Sequence, residues 1–260
     1  MRYVISIPPF AAAPELVDIA VDAEAAGWDA VVVWDHLQWI RATGLDVHDP
    51  WVLLGAIAAR TERVILGPLV TPLSRRRPWI VAKHLTTLDH LSNGRALLGV
   101  GLGAGDDFGA FGDEEGGRAR AALLDEGLDL LSRLLSGDDV VHDGPHFHVD
   151  ARLLPPPVQR PRPRVWVAAV APNRRPLRRA VQWDGVVPIG PDELLTPEAL
   201  AAYLDGVERP RGWDVVAPAA PGVPVGEYAD AGATWLMASD WPTGDWLPTF
   251  RAAVRAGPPR

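Results

Sequence analysis

The 260-residue chain contains no cysteine. Structural disulfides, thiolate metal sites and a cysteine nucleophile are therefore excluded. It has a single lysine, Lys83, inside a stretch read as helix, so Schiff-base chemistry of the class I aldolase kind has no well-placed amine. An excess of positive charge is also missing. The formal net charge is −8, which argues against nucleic acid as a partner. No apolar run approaches the roughly 20 residues needed to cross a bilayer, and the opening MRYVISIPPF meets Pro8-Pro9 too soon for a signal peptide. The expectation is a cytoplasmic protein without a membrane partner.

What is present is a high apolar content, 48%, spread along the whole chain, enough for a large core. The length matches one TIM barrel and is too short for a second full domain, so residues 1–260 read as a single domain. Short β-rich runs alternate with longer amphipathic ones. Strands are expected at Tyr3–Ile7, Ala30–Trp34, Val64–Leu66, Ala96–Val100, Val165–Ala169, Gly185–Ile189, Asp214–Ala217 and Thr234–Ala238. Helices are expected at Pro14–Ala26, Trp51–Arg60, Trp79–Leu91, Arg118–Leu135, Arg174–Gln182, Pro197–Gly206 and Val225–Ala231, with a final one after the last strand that reaches about Arg255. The long irregular stretch, Gly137 to Pro163, reads in part as a small hairpin. Eight units could form a doubly wound open sheet or a barrel. The absence of a Gly-rich fingerprint after the first strand favours an α/β fold of the (β/α)₈ TIM-barrel class.

Barrel enzymes place their chemistry at the C-terminal ends of strands and in the loops that follow. Those positions are Trp34-Asp35-His36, Pro68 to Thr71, Gly101 to Asp107, Val170 to Arg174, Pro188-Ile189 and Ser239 to Trp241. His36 is the acid/base candidate because imidazole titrates near neutrality; the alternative is a histidine capping a helix or sitting at the rim. Neighbours on an extended strand end point apart, so Asp35 and His36 are free to address different partners. The glycines of Gly99-Val100-Gly101-Leu102-Gly103 lie in the wrong place for a dinucleotide fingerprint. They suit close approach of a flat ring, or else a tight turn.

Ala171-Pro172-Asn173-Arg174-Arg175 opens a helix directly after a strand, and free N–H groups with arginine charge suit a phosphate. Arg75-Arg76-Arg77 is a second basic cluster, either anion-binding or a solvated loop. His142, His146 and His148 match no metal-ligand spacing, and no metal site is expected. His84 and His90 read as packing or surface residues within a helix. Of the eleven tryptophans, Trp34, Trp39 and Trp241 fall where they could line an aromatic pocket.

AEAAGWDAVVVWDH, DPWVLLGAIAARTERVILGPLVTP and RRPWIVAKHLTTLDHLSNGRALLGVGLG, followed by LLDEGLDLL, RPRVWVAA and AVQWDGVV, resemble the luciferase-like monooxygenase superfamily. The resemblance runs in order from about Tyr3 to Ile189 and weakens beyond. It implies a flavin or deazaflavin oxidoreductase using F420 or, alternatively, FMN. It implies that Asp35 touches the ring and that His36 gives or takes a proton. Leu69 and Val70 match the stretch where this branch often carries a non-proline cis peptide backing the ring. Thr71, Leu102, Gly103 and Asp107 match cofactor-contacting positions, and Val170, Ala171, Asn173 and Arg174 match the phosphate loop. A homodimer and a partner flavin or F420 reductase are further implications.

The chain departs from the pattern as well. Where sugar-phosphate dehydrogenases of this branch carry a catalytic Glu, Ala104 stands here, with only Asp106 and Asp107 nearby, which places sugar-phosphate oxidation in doubt. The chain is also short for the superfamily, so its lid is expected to be reduced. The leading expectation is hydride transfer to or from a small organic substrate, or oxygen transfer if FMNH₂ is used. Two other classes stay open: a cofactor-free barrel hydrolase or lyase, for which only Asp35, His36 and Asp240 are on offer, and a non-catalytic flavin-binding barrel.

Overall fold

The computed structural model describes residues 1–104, 106–113, 116–191 and 193–259. Strand β1 (Arg2–Ile7) leads to α1 (Ala13–Ala26), and β2 (Ala30–Val33) leads to α2 (Pro50–Arg60). Strand β3 (Ile65–Pro68), continued by the two-residue β4 (Thr71–Pro72), leads to α3 (Pro78–Leu91). After β5 (Leu97–Gly101) come a short α4 (Asp106–Gly109) and a long α5 (Gly117–Leu134). The hairpin of β6 (Asp139–Asp143) and β7 (His148–Arg152) is antiparallel, with Asp139 opposite Arg152. Four pairs complete the chain: β8 (Arg164–Val170) with α6 (Arg174–Ala180), β9 (Gly185–Ile189) with α7 (Pro197–Leu204), β10 (Asp214–Pro218) with α8 (Val225–Asp230), and β11 (Trp235–Ser239) with α9 (Trp246–Ala256).

Local chemistry accounts for several boundaries. Gly27 ends α1 at φ 90°, donating its N–H back to the last turn, a left-handed closure that a side chain would strain. The Asp49 carboxylate caps α2 by accepting from the N–H groups of Trp51 and Val52. All four residues of β2 are buried, as expected of a strand covered on both faces. The third strand is longer than its apolar run suggested. It breaks at Leu69-Val70, where the peptide bond is cis, and resumes at Thr71.

Neighbouring strands run β3-β2-β1-β11-β10-β9-β8-β5-β4. The ring closes where Leu66 bridges Ala96 and where Thr71 and Pro72 pair with Val100 and Gly101. Closure needs glycine at position 67, because a Cβ there would sit 2.1 Å from the Leu97 carbonyl oxygen. Side chains of alternate strand residues, among them Val4, Val32, Leu97, Val187 and Val216, fill the interior, and a larger apolar layer lies between strands and helices. No helix among the described residues is long and apolar enough to cross a membrane.

At the N-terminal end of the barrel the buried Asp214 carboxylate accepts from Trp166 Nε1 at 3.0 Å, Arg2 Nη2 at 2.8 Å and Arg164 Nη1 at 2.6 Å. Loss of this acceptor leaves an indole and two guanidinium groups without their shared partner. We expect Asp214→Ala to lower unfolding free energy by about 2 kcal/mol in urea titration, with ligand binding at the opposite end of the barrel unchanged.

Candidate active site

Trp34, Asp35 and His36 leave the C-terminal end of β2 pointing in different directions, and each finds its own partners. The Asp35 side chain is fully buried. Its Oδ2 accepts from Thr71 Oγ1 at 2.9 Å and Arg76 Nε at 2.9 Å, and its Oδ1 from Arg75 Nη2 at 3.0 Å and Arg76 Nη2 at 2.8 Å. All four acceptor positions of the carboxylate are thus filled from within the protein. The expected direct contact of Asp35 with a ring therefore meets an acid already saturated by two arginines and a threonine. Its observed work is to anchor the segment after β4 to the end of β2.

His36 turns the other way, and its Nδ1 lies 2.8 Å from Asp107 Oδ2. Asp107, on α4, is 1% exposed. Its Oδ1 accepts from the N–H groups of Leu37 at 3.0 Å and Gln38 at 3.1 Å, and Arg75 Nη1 stands 3.0 Å from Oδ2. Burial pushes the Asp107 carboxyl upward, but the His36 and backbone hydrogen bonds outweigh it and hold its pKa at about 2. Arg75, itself 4% exposed, bridges Asp35 and Asp107.

The Gly-rich strand has a different role from the one its spacing suggested. A Cβ on Gly99 would fall 2.3 Å from Leu69 Cδ1 and 2.6 Å from the Pro68 oxygen, and one on Gly101 would fall 2.9 Å from Val70 Cγ2. The space these glycines leave is taken by the cis Leu69-Val70 segment of the neighbouring strand, and not left for a flat ring. The glycines seat the floor, and Leu69 and Val70 form it. Leu102 and Gly103 follow, their carbonyls accepting from Arg120 Nη1 at 3.3 and 3.4 Å, while that guanidinium lies 4.5 Å above the Phe108 ring. Gly105, in the same loop, and the Asp106 side chain lie outside the described residues.

Beside β5 in the sheet, β8 ends at Val170, Ala171 follows it, and the Ala171-Pro172 bond is cis. Asn173 precedes α6 without capping it through its side chain. The Arg174 guanidinium donates to the carbonyls of Tyr203 and Asp205 at the end of α7, so this arginine ties two helices together and presents no free fork. Tyr203 in turn donates its hydroxyl to the Asn173 carbonyl at 2.8 Å, and burial pushes its phenol up to about 12. Ala171, Pro172, Arg174, Leu195, Ala199 and Tyr203 line a mostly apolar cavity of about 510 Å³.

An aromatic cluster stands over the ends of β1, β2 and β11. Trp39 lies 5.2 Å from Phe10, 5.7 Å from both Trp34 and Trp241, and 5.0 Å from His36, ring centre to ring centre. Trp34 Nε1 donates to Ser6 Oγ at 2.7 Å, which fixes one wall, while Trp241 is 62% exposed. The three tryptophans marked out by position therefore do meet. The hairpin histidines do not. His142 Nε2 pairs with Glu126 Oε1 at 2.9 Å and His148 with Asp143 at 2.5 Å. His84 packs against Trp51, and His90 Nε2 lies 2.9 Å from the Pro156 carbonyl.

The structure thus gathers Asp35, His36, Leu69, Val70, Thr71, Leu102, Gly103 and Asp107 around the ends of β2 to β5, with Val170 to Arg174 at the end of the adjoining strand. Arg75 and Arg76 are the residues to which sequence reasoning gave a different role. Read as an anion site or a solvated loop, they are instead largely buried ion-pair partners, and the only signal for this was the presence of two acids at neighbouring strand ends.

A family model described as luciferase-like monooxygenase matches residues 1–211. An F420-dependent glucose-6-phosphate dehydrogenase of Nakamurella multipartita is 35% identical over 203 residues, 75% of this chain and 58% of that protein. The protein of the same name from Beutenbergia cavernae is 38% identical over 201 residues, 75% of this chain and 59% of that one. The chain thus spans about six-tenths of the length of these relatives. Among solved structures, the coenzyme F420-dependent tetrahydromethanopterin reductase of Methanopyrus kandleri superposes with a TM-score of 0.80 at 17% identity, covering 98% of both chains. An F420-dependent secondary alcohol dehydrogenase superposes at 0.78 and 17% identity, covering 98% of this chain and 99% of that one. At these identities the likeness establishes the barrel fold.

Two outcomes follow from the geometry. Gly99→Ala must displace Leu69 and Pro68, and we expect it to cost about 1–3 kcal/mol of stability, read from the denaturation midpoint. The depressed Asp107 pKa means that its charged form stabilises the fold above the unfolded value of 3.8, and that this contribution is lost as pH falls towards 2. Urea unfolding of wild type and Asp107→Asn should therefore show a gap of about 2 kcal/mol at pH 6 that narrows steadily below pH 4.

Proposed function

Because this chain belongs to the luciferase-like monooxygenase family, we propose that it is an oxidoreductase that binds the deazaflavin F420 at the C-terminal end of its barrel and moves hydride between it and a small organic substrate. The observation that carries this reading is His36, placed at that end by a buried carboxylate 2.8 Å away, with Trp34 and Trp39 as its other neighbours. The bound cofactor supplies the two-electron chemistry. The protein supplies orientation, exclusion of water and a proton-handling group.

The residues present suit such a group. Leu69 and Val70 give a level apolar floor, and Thr71 and the backbone around Leu102 and Gly103 edge it. The start of α6, with Asn173 uncommitted as a cap, supports phosphate binding through backbone N–H groups. Arg174 shapes that turn from behind, since its guanidinium is held by α7. Asp35 contributes by fixing Thr71, Arg75 and Arg76, and not by a free oxygen.

The substrate we propose is not a sugar phosphate, although the relatives' names specify one. Ala104 stands where the dehydrogenases of this branch carry their Glu, and the wall beside His36 is aromatic. Residues 1–260 are proposed to act as one domain, as a homodimer in which a separate reductase recycles the cofactor.

Tryptophan fluorescence tests the cofactor directly. Titration with F420 and FMN in parallel should give saturable quenching by F420, with His36→Ala binding it equally well. Saturation by FMN alone would move the reading to oxygen-dependent chemistry. Quenching by neither, in folded protein, would overturn it.

A further inference from the structure

The geometry points to Asp107 as a positioning residue that, braced by Arg75, fixes His36 in the tautomer that carries its hydrogen on Nδ1 and leaves the lone pair on Nε2. This rests on the reading of His36 as the proton-handling group and goes beyond it, because it removes Asp107 from the cofactor contacts and gives it a different task.

The argument is one of donors and acceptors. Among the described residues, the partners of Asp107 besides His36 are the backbone N–H groups of Leu37 and Gln38, which donate to Oδ1, and the Arg75 guanidinium, whose Nη1 forms an ion pair 3.0 Å from Oδ2. An acid so placed stays ionised and offers no proton. The 2.8 Å contact with His36 Nδ1 therefore requires the hydrogen to be on Nδ1. In the neutral ring Nε2 is then the lone-pair nitrogen, and it alone can accept a proton. Trp39 and Trp34 pack against the ring at centroid distances of 5.0 and 6.2 Å and restrict its rotation, so a flip that would exchange the nitrogens is opposed.

Arg75 makes the arrangement rigid. It reaches Asp35 through Nη2 and Asp107 through Nη1, so the end of β2, the turn before α3 and the start of α4 are held by one guanidinium. For oxidation of an alcohol, the substrate O–H bond breaks, an Nε2–H bond forms, and the O–H electron pair becomes the second bond of the product C=O as the carbon loses hydride. An oxidised deazaflavin or flavin, bound as proposed above, would be the hydride acceptor. In the reverse direction the same nitrogen returns the proton. A carboxylate behind Nδ1 stabilises the imidazolium that forms in between.

Asp107→Asn tests this with an isosteric change. The Asn carbonyl is retained on the Leu37 and Gln38 N–H groups, which need an acceptor, so its NH₂ takes the place of Oδ2. It then donates to His36 Nδ1 and forces the hydrogen onto Nε2.

Histidine ¹⁵N NMR of the whole chain, with His36 assigned by its loss in His36→Ala, reads the tautomer without any ligand. In the wild type we expect Nε2 to be the nitrogen that gains a proton on acidification. In Asp107→Asn the titrating nitrogen should become Nδ1, with F420 affinity by fluorescence held within about threefold. A wild-type His36 that titrates at Nδ1 overturns the proposal even if the variant does not fold. So does an Asn variant in which Nε2 still titrates, or one that loses F420 affinity with the tautomer unchanged, which would return Asp107 to the cofactor contacts. Failure of wild type to bind F420 or FMN would sink the functional reading and leave the tautomer result standing.

Discussion

A guanidinium held between two buried carboxylates organises one end of this barrel. Arg75 is withdrawn from water together with Asp35 and Asp107, and each member would be costly to bury alone. Their mutual attraction, with Arg76 and Thr71 filling the remaining acceptor positions of Asp35, offsets that cost only in one arrangement of the three segments that carry them. The constraint is therefore geometric as well as energetic. It sets where β2 ends, how the chain turns after β4, and where α4 begins.

The floor beside this ion-pair group depends on backbone contact and not on charge. β3 and β5 approach so closely that Gly67 and Gly99 admit no Cβ: Leu97 fills the space at Gly67, and the cis Leu69-Val70 segment lies against Gly99 and Gly101. The two features are linked through Thr71. Its hydroxyl donates to Asp35 while its backbone resumes pairing with β5, so the floor and the charge group share one residue. Around them the site is completed by rings: Trp34, Trp39, Phe10 and Trp241 give His36 an apolar surrounding in which its hydrogen bond to Asp107 is strengthened.

Much of this architecture was legible in the chain. Alternation of apolar runs placed eight strands and their helices in order, because a strand buried on both faces and a helix buried on one leave different periods. Proline at the first turn and glycine after the last marked where α1 begins and ends. Strand ends then nominated Trp34 to His36, Pro68 to Thr71, Gly101 to Asp107 and Val170 to Arg174, because barrel topology brings those ends to one face whatever lies between them.

Partner choice was not legible, and the arginines show why. Arg75, Arg76 and Arg174 carry the same charge in sequence, yet the first two are consumed by acids from other segments and the third by carbonyls at the end of α7. Nothing local distinguishes a guanidinium that meets a ligand from one that meets a buried carboxylate some 40 residues away in the chain. The glycines of β5 pose the same ambiguity, since spacing records that a side chain is missing but not what occupies its place. The sequence by itself determined the order of elements, the barrel and the face on which chemistry collects, because these follow from periodicity and connectivity. Only the tertiary structure decided which donors meet which acceptors, because hydrogen bonding depends on ångström-scale distance and direction that arise when non-neighbouring strands close the ring.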